Sequence, residues 1–177
     1  MPLSVLFADV RGYTTLAEKL SSIETTGLLN RFYQVASEAL LAHDAILGQI
    51  AGDEVMAIFV PGLAGGGYAR QAVDGAVTLL RRLGYGTTNQ WLEVGVGICT
   101  GDEYVGNVGG GGFKDFTAIG DVTNTAARLQ ASAHGGEIVM CSRTFAALRG
   151  AYQDVEQERL QLKGKNAKVD AYRIRLR

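Results

Sequence analysis

Two apolar runs, residues 45–51 and 54–60, are separated only by Gly52-Asp53. A spacer that short, with glycine in it, leaves room for nothing but a tight two-residue turn, so the runs are expected to pair as neighbouring antiparallel strands. Such a hairpin also fixes register, because a slip by one residue would turn every apolar side chain to the wrong face. The turn puts one carboxylate, Asp53, at the edge of a sheet.

The remaining elements fall into place around this hairpin. Residues 3–10 form an apolar run of strand length interrupted by Asp9 and closed by the turn pair Arg11-Gly12. Leu16, Leu20, Ile23, Leu28, Phe32, Val35 and Ala39 recur at three- and four-residue intervals and predict a helix to about residue 43. Capping-box spacings at Thr15/Glu18 and Ser21/Glu24 place a break near Ser21. After a 61–67 loop, Ala69, Ala72, Val73, Ala76, Leu79, Leu80 and Leu83 mark a second helix ended by Gly84. Strands are expected at 91–100, 104–108 and 116–119, then a third helix capped by Asp121 or Thr123 and running to about 133. A strand at 138–141, a short helix at 143–148 and strands at 155–162 and 169–174 close the chain. The order is that of an α+β, ferredoxin-like split βαβ fold: a βαββαβ antiparallel sheet with helices packed on it and a C-terminal αβ extension.

At 177 residues, 47% of them hydrophobic, the chain has the size and apolar content of one domain with its own core. Seventeen basic residues against 18 acidic ones create no field that would draw it onto nucleic acid or anionic lipid. No apolar run approaches a membrane span and no charged leader precedes the first strand, so a soluble, cytoplasmic protein is expected. Cys99 and Cys141 have no metal-ligand spacing and read as buried thiols.

Asp9 is the chemical anomaly of the first strand, since a buried carboxylate needs a cation, donors or water to compensate it. In a split βαβ sheet that strand lies beside the one following Gly52-Asp53, so two acids remote in sequence converge on one edge. Paired carboxylates suit Mg²⁺ or Mn²⁺, hard ions that complete their shells with phosphate and water. Asn124 and Arg128, four apart, share a helix face and suit a sugar and a phosphate. Lys163, in LQLKGK, adds a further cation. Each feature alone also fits an ordinary strand end, turn or solvent-facing stripe.

Jointly, VLFADVRGYT (5–14), GQIAGDEVMAIF (48–59), GNVGGGGFKDFTAIGDVTNTAARL (106–129) and LQLKGK resemble the catalytic domain of class III nucleotidyl cyclases, the adenylyl and guanylyl cyclase family. The resemblance covers nearly the whole chain and implies one catalytic domain over residues 1–177. It implies metal binding by Asp9, Asp53 and the Val10 carbonyl, with two divalent cations, Mg²⁺ or Mn²⁺. It also implies ribose orientation by Asn124, α-phosphate contact by Arg128, terminal-phosphate contact by Lys163 and base recognition at positions 49 and 117. The implied reaction is attack of the ribose 3′-oxygen on the α-phosphorus of a nucleoside triphosphate. The implied assembly is a head-to-tail homodimer with sites at the subunit interface.

The base-reading pair departs from the commonest adenylyl cyclase pattern, because Gln49 stands where a lysine is usual, with Thr117 opposite. An amide both donates and accepts, so one orientation complements adenine and the flipped one guanine. ATP is the favoured substrate, with incomplete discrimination against GTP. Thr123 also stands where valine is usual in the helix-start motif. The alternatives are a guanylate cyclase, a diguanylate cyclase suggested by AGDEV (51–55), and a weakly catalytic nucleotide-binding or dimerisation module.

Overall fold

The turn at Gly52-Asp53 closes as expected: in the computed structural model, which describes residues 1–177, Ala51 pairs with Glu54 and Gly52 takes a positive φ of 58°. In chain order the elements are β1 (Pro2–Val10), α1 (Tyr13–Lys19), α2 (Ser22–Leu41), β2 (Ile46–Ala51), β3 (Glu54–Phe59), α3 (Pro61–Ala64), α4 (Tyr68–Arg82) and β4 (Val94–Asp102). There follow β5 (Tyr104–Val108), β6 (Asp115–Ile119), α5 (Asp121–Ala131), β7 (Glu137–Cys141), α6 (Ser142–Ala147), β8 (Glu156–Leu160) and β9 (Val169–Arg175).

Seven strands form one sheet in the order β2-β3-β1-β4-β7-β9-β8, and β5 pairs with β6 as a separate ribbon. β3 lies between β1 and β2 and runs antiparallel to both, which is the split βαβ arrangement. β4 flanks β1 antiparallel on the other side, and β7 joins β4 in parallel through the α5 crossover. The fold is therefore the α+β architecture expected from the order of elements, with β7, α6, β8 and β9 as the extension.

Side-chain alternation along β1 sorts the core into two layers. Leu6, Ala8 and Val10 face α2 and α4, where Phe32, Leu40, Ala72 and Leu80 are buried. Leu3, Val5 and Phe7 face α5, against Val122, Ala126 and Leu129. Each large side chain so buried contributes about 1.5–3 kcal/mol relative to exposure. By the same alternation Asp9 belongs to the α5 face, which decides what it meets.

β4 alternates in its own way. Val94, Val96 and Ile98 join the α2/α4 layer, whereas Gly95, Gly97 and Gly101 turn toward α5. A Cβ at Gly95 would lie 2.9 Å from the Ala133 carbonyl oxygen, and one at Gly97 would overlap the Gln130 amide nitrogen and the Ala126 carbonyl. The helix backbone therefore rests directly on the strand backbone.

Several boundaries differ from the expected ones for identifiable reasons. β4 begins at Val94, not Trp91, because Trp91 closes the end of α4: its indole N–H donates to the Arg82 carbonyl at 3.3 Å and its ring lies 3.8 Å from the Arg31 guanidinium. The 61–67 segment is helical, with Pro61 in the first turn of α3 and a 3₁₀ turn at Gly65–Gly67. The break at Ser21 is present, with the Ser21/Glu24 capping box formed in both directions. Thr15, by contrast, lies inside α1, which starts after Gly12 at φ 65° without a side-chain cap. α5 is capped by neither Asp121 nor Thr123. Glu103, beyond the end of β4, accepts hydrogen bonds from the Thr123 amide at 3.0 Å and the Thr123 hydroxyl at 2.5 Å. A carboxylate borrowed from another element thus satisfies the helix start and complements its dipole.

Candidate active site

Asp9 ends β1 on the α5 face and Asp53 occupies the neighbouring hairpin turn, so the sheet brings the two expected acids together. The join is a backbone one as well: the Val10 amide donates to the Asp53 carbonyl at 3.0 Å. The turn is also held from outside, because the Tyr33 hydroxyl on α2 donates to the Gly52 carbonyl. Asp9, Val10, Asp53, Thr14 and Gln130 are among the residues lining an open cavity of about 360 Å³.

The two oxygens of Asp9 have different fates. Oδ2 accepts from the Arg11 guanidinium at 3.0 Å and from the Gln130 amide nitrogen at 3.2 Å. Oδ1 is buried and has no hydrogen-bond partner. Burial foremost, and then the adjoining Asp53 carboxyl, push Asp9 from 3.8 up to about 7, with Arg11 pulling the other way. Burial and Asp53 also raise Glu54, the residue opposite Asp9 across the strand pair. An orphaned buried oxygen, a second carboxylate and a strand-end carbonyl at Val10 fit a hard divalent cation. The chain assembles no group of three or more His, Cys, Asp or Glu suited to an ion. Phosphate and water oxygens would have to complete such a shell, which suits Mg²⁺ or Mn²⁺ rather than a closed structural zinc.

The other expected residues collect elsewhere. Asn124 and Arg128 on α5 share a groove of about 450 Å³ with Lys163, Gln161 and Ser132. Gly164, at φ 79°, lets the 163–165 loop turn against α5, its Cβ position 3.1 Å from the Arg128 guanidinium. Lys165 bonds Asp121 at 2.5 Å and ties the same loop to the start of the helix. Asn124 and Lys163 are exposed, so their polar groups face solvent.

Thr117 and Gly48, the residue before Gln49, both meet Met56. The pairing of β2 with β3 slips between Leu47 and Ile50, where three steps on β2 span two on β3, and Gln49 sits in that bulge, exposed. Gly48 packs against Met56, its Cβ position 3.3 Å from the sulfur, while the Thr117 hydroxyl donates to the same sulfur at 3.8 Å. With its proton so directed, the Thr117 oxygen keeps its lone pairs for an outside donor.

Sequence reasoning missed Arg11, Gln130, Tyr33, Met56 and Glu103. For Gln130 the one signal in the sequence is indirect, the Val94-Gly95-Val96-Gly97 alternation, whose glycine side meets α5 where Gln130 is 4% exposed. The others depend on which elements meet in space. The Arg11 guanidinium donates to the Gln130 and Ala133 carbonyls at 3.3 and 3.1 Å as well as to Asp9, so the acid cluster and the last turn of α5 form one network.

Residues 2–175 match the family model described as the adenylate and guanylate cyclase catalytic domain. Adenylate cyclase 1 of Rhizobium meliloti is 26% identical over 97% of this chain, and the adenylate cyclase of Anabaena cylindrica 27% identical over 98%. The chain spans 27% and 36%, respectively, of the length of those relatives. Among solved structures, the adenylyl cyclase CyaB from P. aeruginosa superposes with a TM-score of 0.85 at 28% identity, covering 99% of this chain and 95% of that one. The guanylyl cyclase Cya2 does so with a TM-score of 0.84 at 27% identity, covering 98% and 91%. The two solved structures, named for different bases, are matched almost equally, while the sheet, the paired acids and the family match over residues 2–175 agree: the chain belongs to the adenylate and guanylate cyclase catalytic domain family.

Proposed function

We propose that residues 1–177 form one catalytic domain that converts ATP to 3′,5′-cyclic AMP and pyrophosphate, as a head-to-tail homodimer whose two sites lie at the subunit interface. The observation that carries this reading is the separation of the two half-sets. Asp9, Val10 and Asp53 line one cavity, and Asn124, Arg128 and Lys163 line another. A second copy related by a twofold axis can bring the acid cavity of one subunit to the groove of the other, twice. Exposed Tyr104, Phe113, Phe116 and Ile119, on and beside the β5–β6 ribbon, supply apolar surface for such a contact.

Asp9 and Asp53, with the Val10 carbonyl, would hold two divalent cations. Bound there, these ions supply Lewis-acid chemistry, easing ionisation of the 3′-hydroxyl and offsetting phosphate charge. The Asn124 amide holds the ribose so that its 3′-oxygen lies in line with the α-phosphorus. Arg128 donates to the α-phosphate oxygens, where charge redistributes as the new O–P bond forms and the bond to the leaving pyrophosphate breaks. Lys163 binds the terminal phosphates. Gln49 and Thr117 read the base: a Thr117 oxygen with free lone pairs accepts from the adenine amino group, and an amide at Gln49 serves N1. The same amide, turned over, meets guanine, so GTP is discriminated against incompletely.

Two measurements test the reading. With equal ATP and GTP and Mn²⁺, cyclic AMP is the main product and cyclic GMP the minor one; a GTP preference reverses the substrate assignment. Asp53→Asn and Arg128→Ala, each inactive alone, regain roughly a quarter of wild-type activity when mixed as equal parts, because half the dimers then carry one intact site. No recovery on mixing refutes the shared-site arrangement.

A further inference from the structure

We infer that Gln130 is a positioning residue for cation binding: its side-chain amide fixes the Asp9 carboxylate so that Oδ1 alone is presented to the ion. The inference rests on the reading of Asp9 and Asp53 as the cation site.

A free aspartate at a strand end rotates about two bonds and can offer either oxygen. Here Oδ2 is occupied twice, by the Arg11 guanidinium at 3.0 Å and by Gln130 Nε2 at 3.2 Å, while Oδ1 is buried without a partner. Two donors from different directions define the plane of the carboxylate as well as its position. The amide is itself held rigidly. Gln130 is 4% exposed, its main-chain carbonyl accepts from Arg11 at 3.3 Å, and its main chain lies so close to Gly97 that a Cβ on the strand would overlap its nitrogen. The helix backbone already rests on the strand and cannot come closer, so the shortest reach of the amide to Asp9 is set by the backbone contact between α5 and β4.

Arg11 and Gln130 hold the same oxygen but differ toward a cation. A guanidinium repels the ion it helps to orient for, so removing it mixes a loss of orientation with a gain in attraction. The neutral amide acts by geometry and hydrogen bonding alone, which makes it the clean probe of orientation. Its loss therefore weakens cation binding more than it slows the reaction once the cations are in place.

The test is Mn²⁺ titration of the full chain without nucleotide, reading free Mn²⁺ by electron paramagnetic resonance, alongside the Mn²⁺ dependence of turnover. Gln130→Leu and Gln130→Met keep the volume and remove the donor. Each is expected to weaken Mn²⁺ binding about 10-fold, while kcat at saturating Mn²⁺ changes by less than about threefold. Wild-type Mn²⁺ affinity in either folded variant overturns the inference. Asp9→Asn separates the two levels. If it loses Mn²⁺ binding and the Gln130 variants keep theirs, only the positioning role falls; if it too binds like wild type, the cation-site reading falls. Should neither Gln130 variant fold, the wild-type protein answers directly: its Gln130 side-chain amide resonance is expected to shift on Mg²⁺ titration, and an unmoved resonance overturns the inference.

Discussion

The acid cavity and the α5 groove are built to opposite specifications. Around Asp9 the chain holds its own groups in place: Arg11 and Gln130 donate to the carboxylate, and Tyr33 holds the turn that bears Asp53. Across α5, Asn124 and Lys163 are exposed and the loop beside Arg128 turns on a glycine. One half is preorganised by its own chain, and the other offers groups to something outside it. The contrast teaches that the costly task, gathering like charges, is assigned to the end of a packed strand and the tight turn beside it, where the surrounding structure can resist their repulsion.

Removing a carboxylate from the rigid half is expected to have the largest effect. Asp53→Ala should lower kcat by about 10³-fold, the scale of losing a transition-state charge contact, with the melting temperature unchanged or raised because a like-charge neighbour has gone. A steady-state assay with Mn²⁺ and a thermal melt check both parts, and a fall of less than about tenfold would dissolve the contrast. Next comes a pair of glycine substitutions. Gly97→Ala drives a methyl into the α5 backbone and should cost about 3 kcal/mol or more in denaturant unfolding. Gly164→Ala meets only the tip of a movable guanidinium and strains one positive φ, which should cost about 1 kcal/mol. Equal costs would mean that the groove is as rigid as the acid cavity.

Smaller effects sharpen the same boundary. Gln49→Lys should raise the ratio of ATP to GTP turnover about 10-fold, since an ammonium cannot turn over as an amide can; competition between the two nucleotides measures it. The pH response of the acid pair should be smaller still. Asp9 has a folded-state pKa of about 7 against an ordinary value of 3.8, so the folded form holds the proton more tightly than the unfolded one. Its contribution is most favourable below the ordinary value and is lost as pH rises from there through about 7. A cation at the pair relieves that loss, so the rise in melting temperature on adding Mn²⁺ should be larger at about pH 8 than at about pH 5, by a few degrees. An equal rise at both would place the ion elsewhere.

What could be read from the sequence follows the same division. The Gly52-Asp53 turn and the interruption of an apolar strand by Asp9 are local signals, and the fold order places those acids side by side. Asn124 and Arg128 are legible because a helix puts residues four apart on one face. The Gln49 bulge is not, since the slip between β2 and β3 depends on how Met56 fills the space beside Gly48. Glu103 was illegible as a cap because it lies 20 residues from the Thr123 it serves. Gln130 was hidden differently: an amide beside Leu129 reads as one facing solvent until the alternation Val94-Gly95-Val96-Gly97 shows where β4 lets the helix rest on its backbone.

That backbone contact sets how the molecule can adapt. Where Gly95 and Gly97 meet the helix with no side chain of the strand between, α5 and β4 travel as a single beam, and sliding by even a fraction of a turn would jam Ala126 and Gln130 against Gly97. Adjustment to a bound nucleotide therefore falls to the parts hung from the ends of the beam, the 161–165 loop and the β5–β6 ribbon.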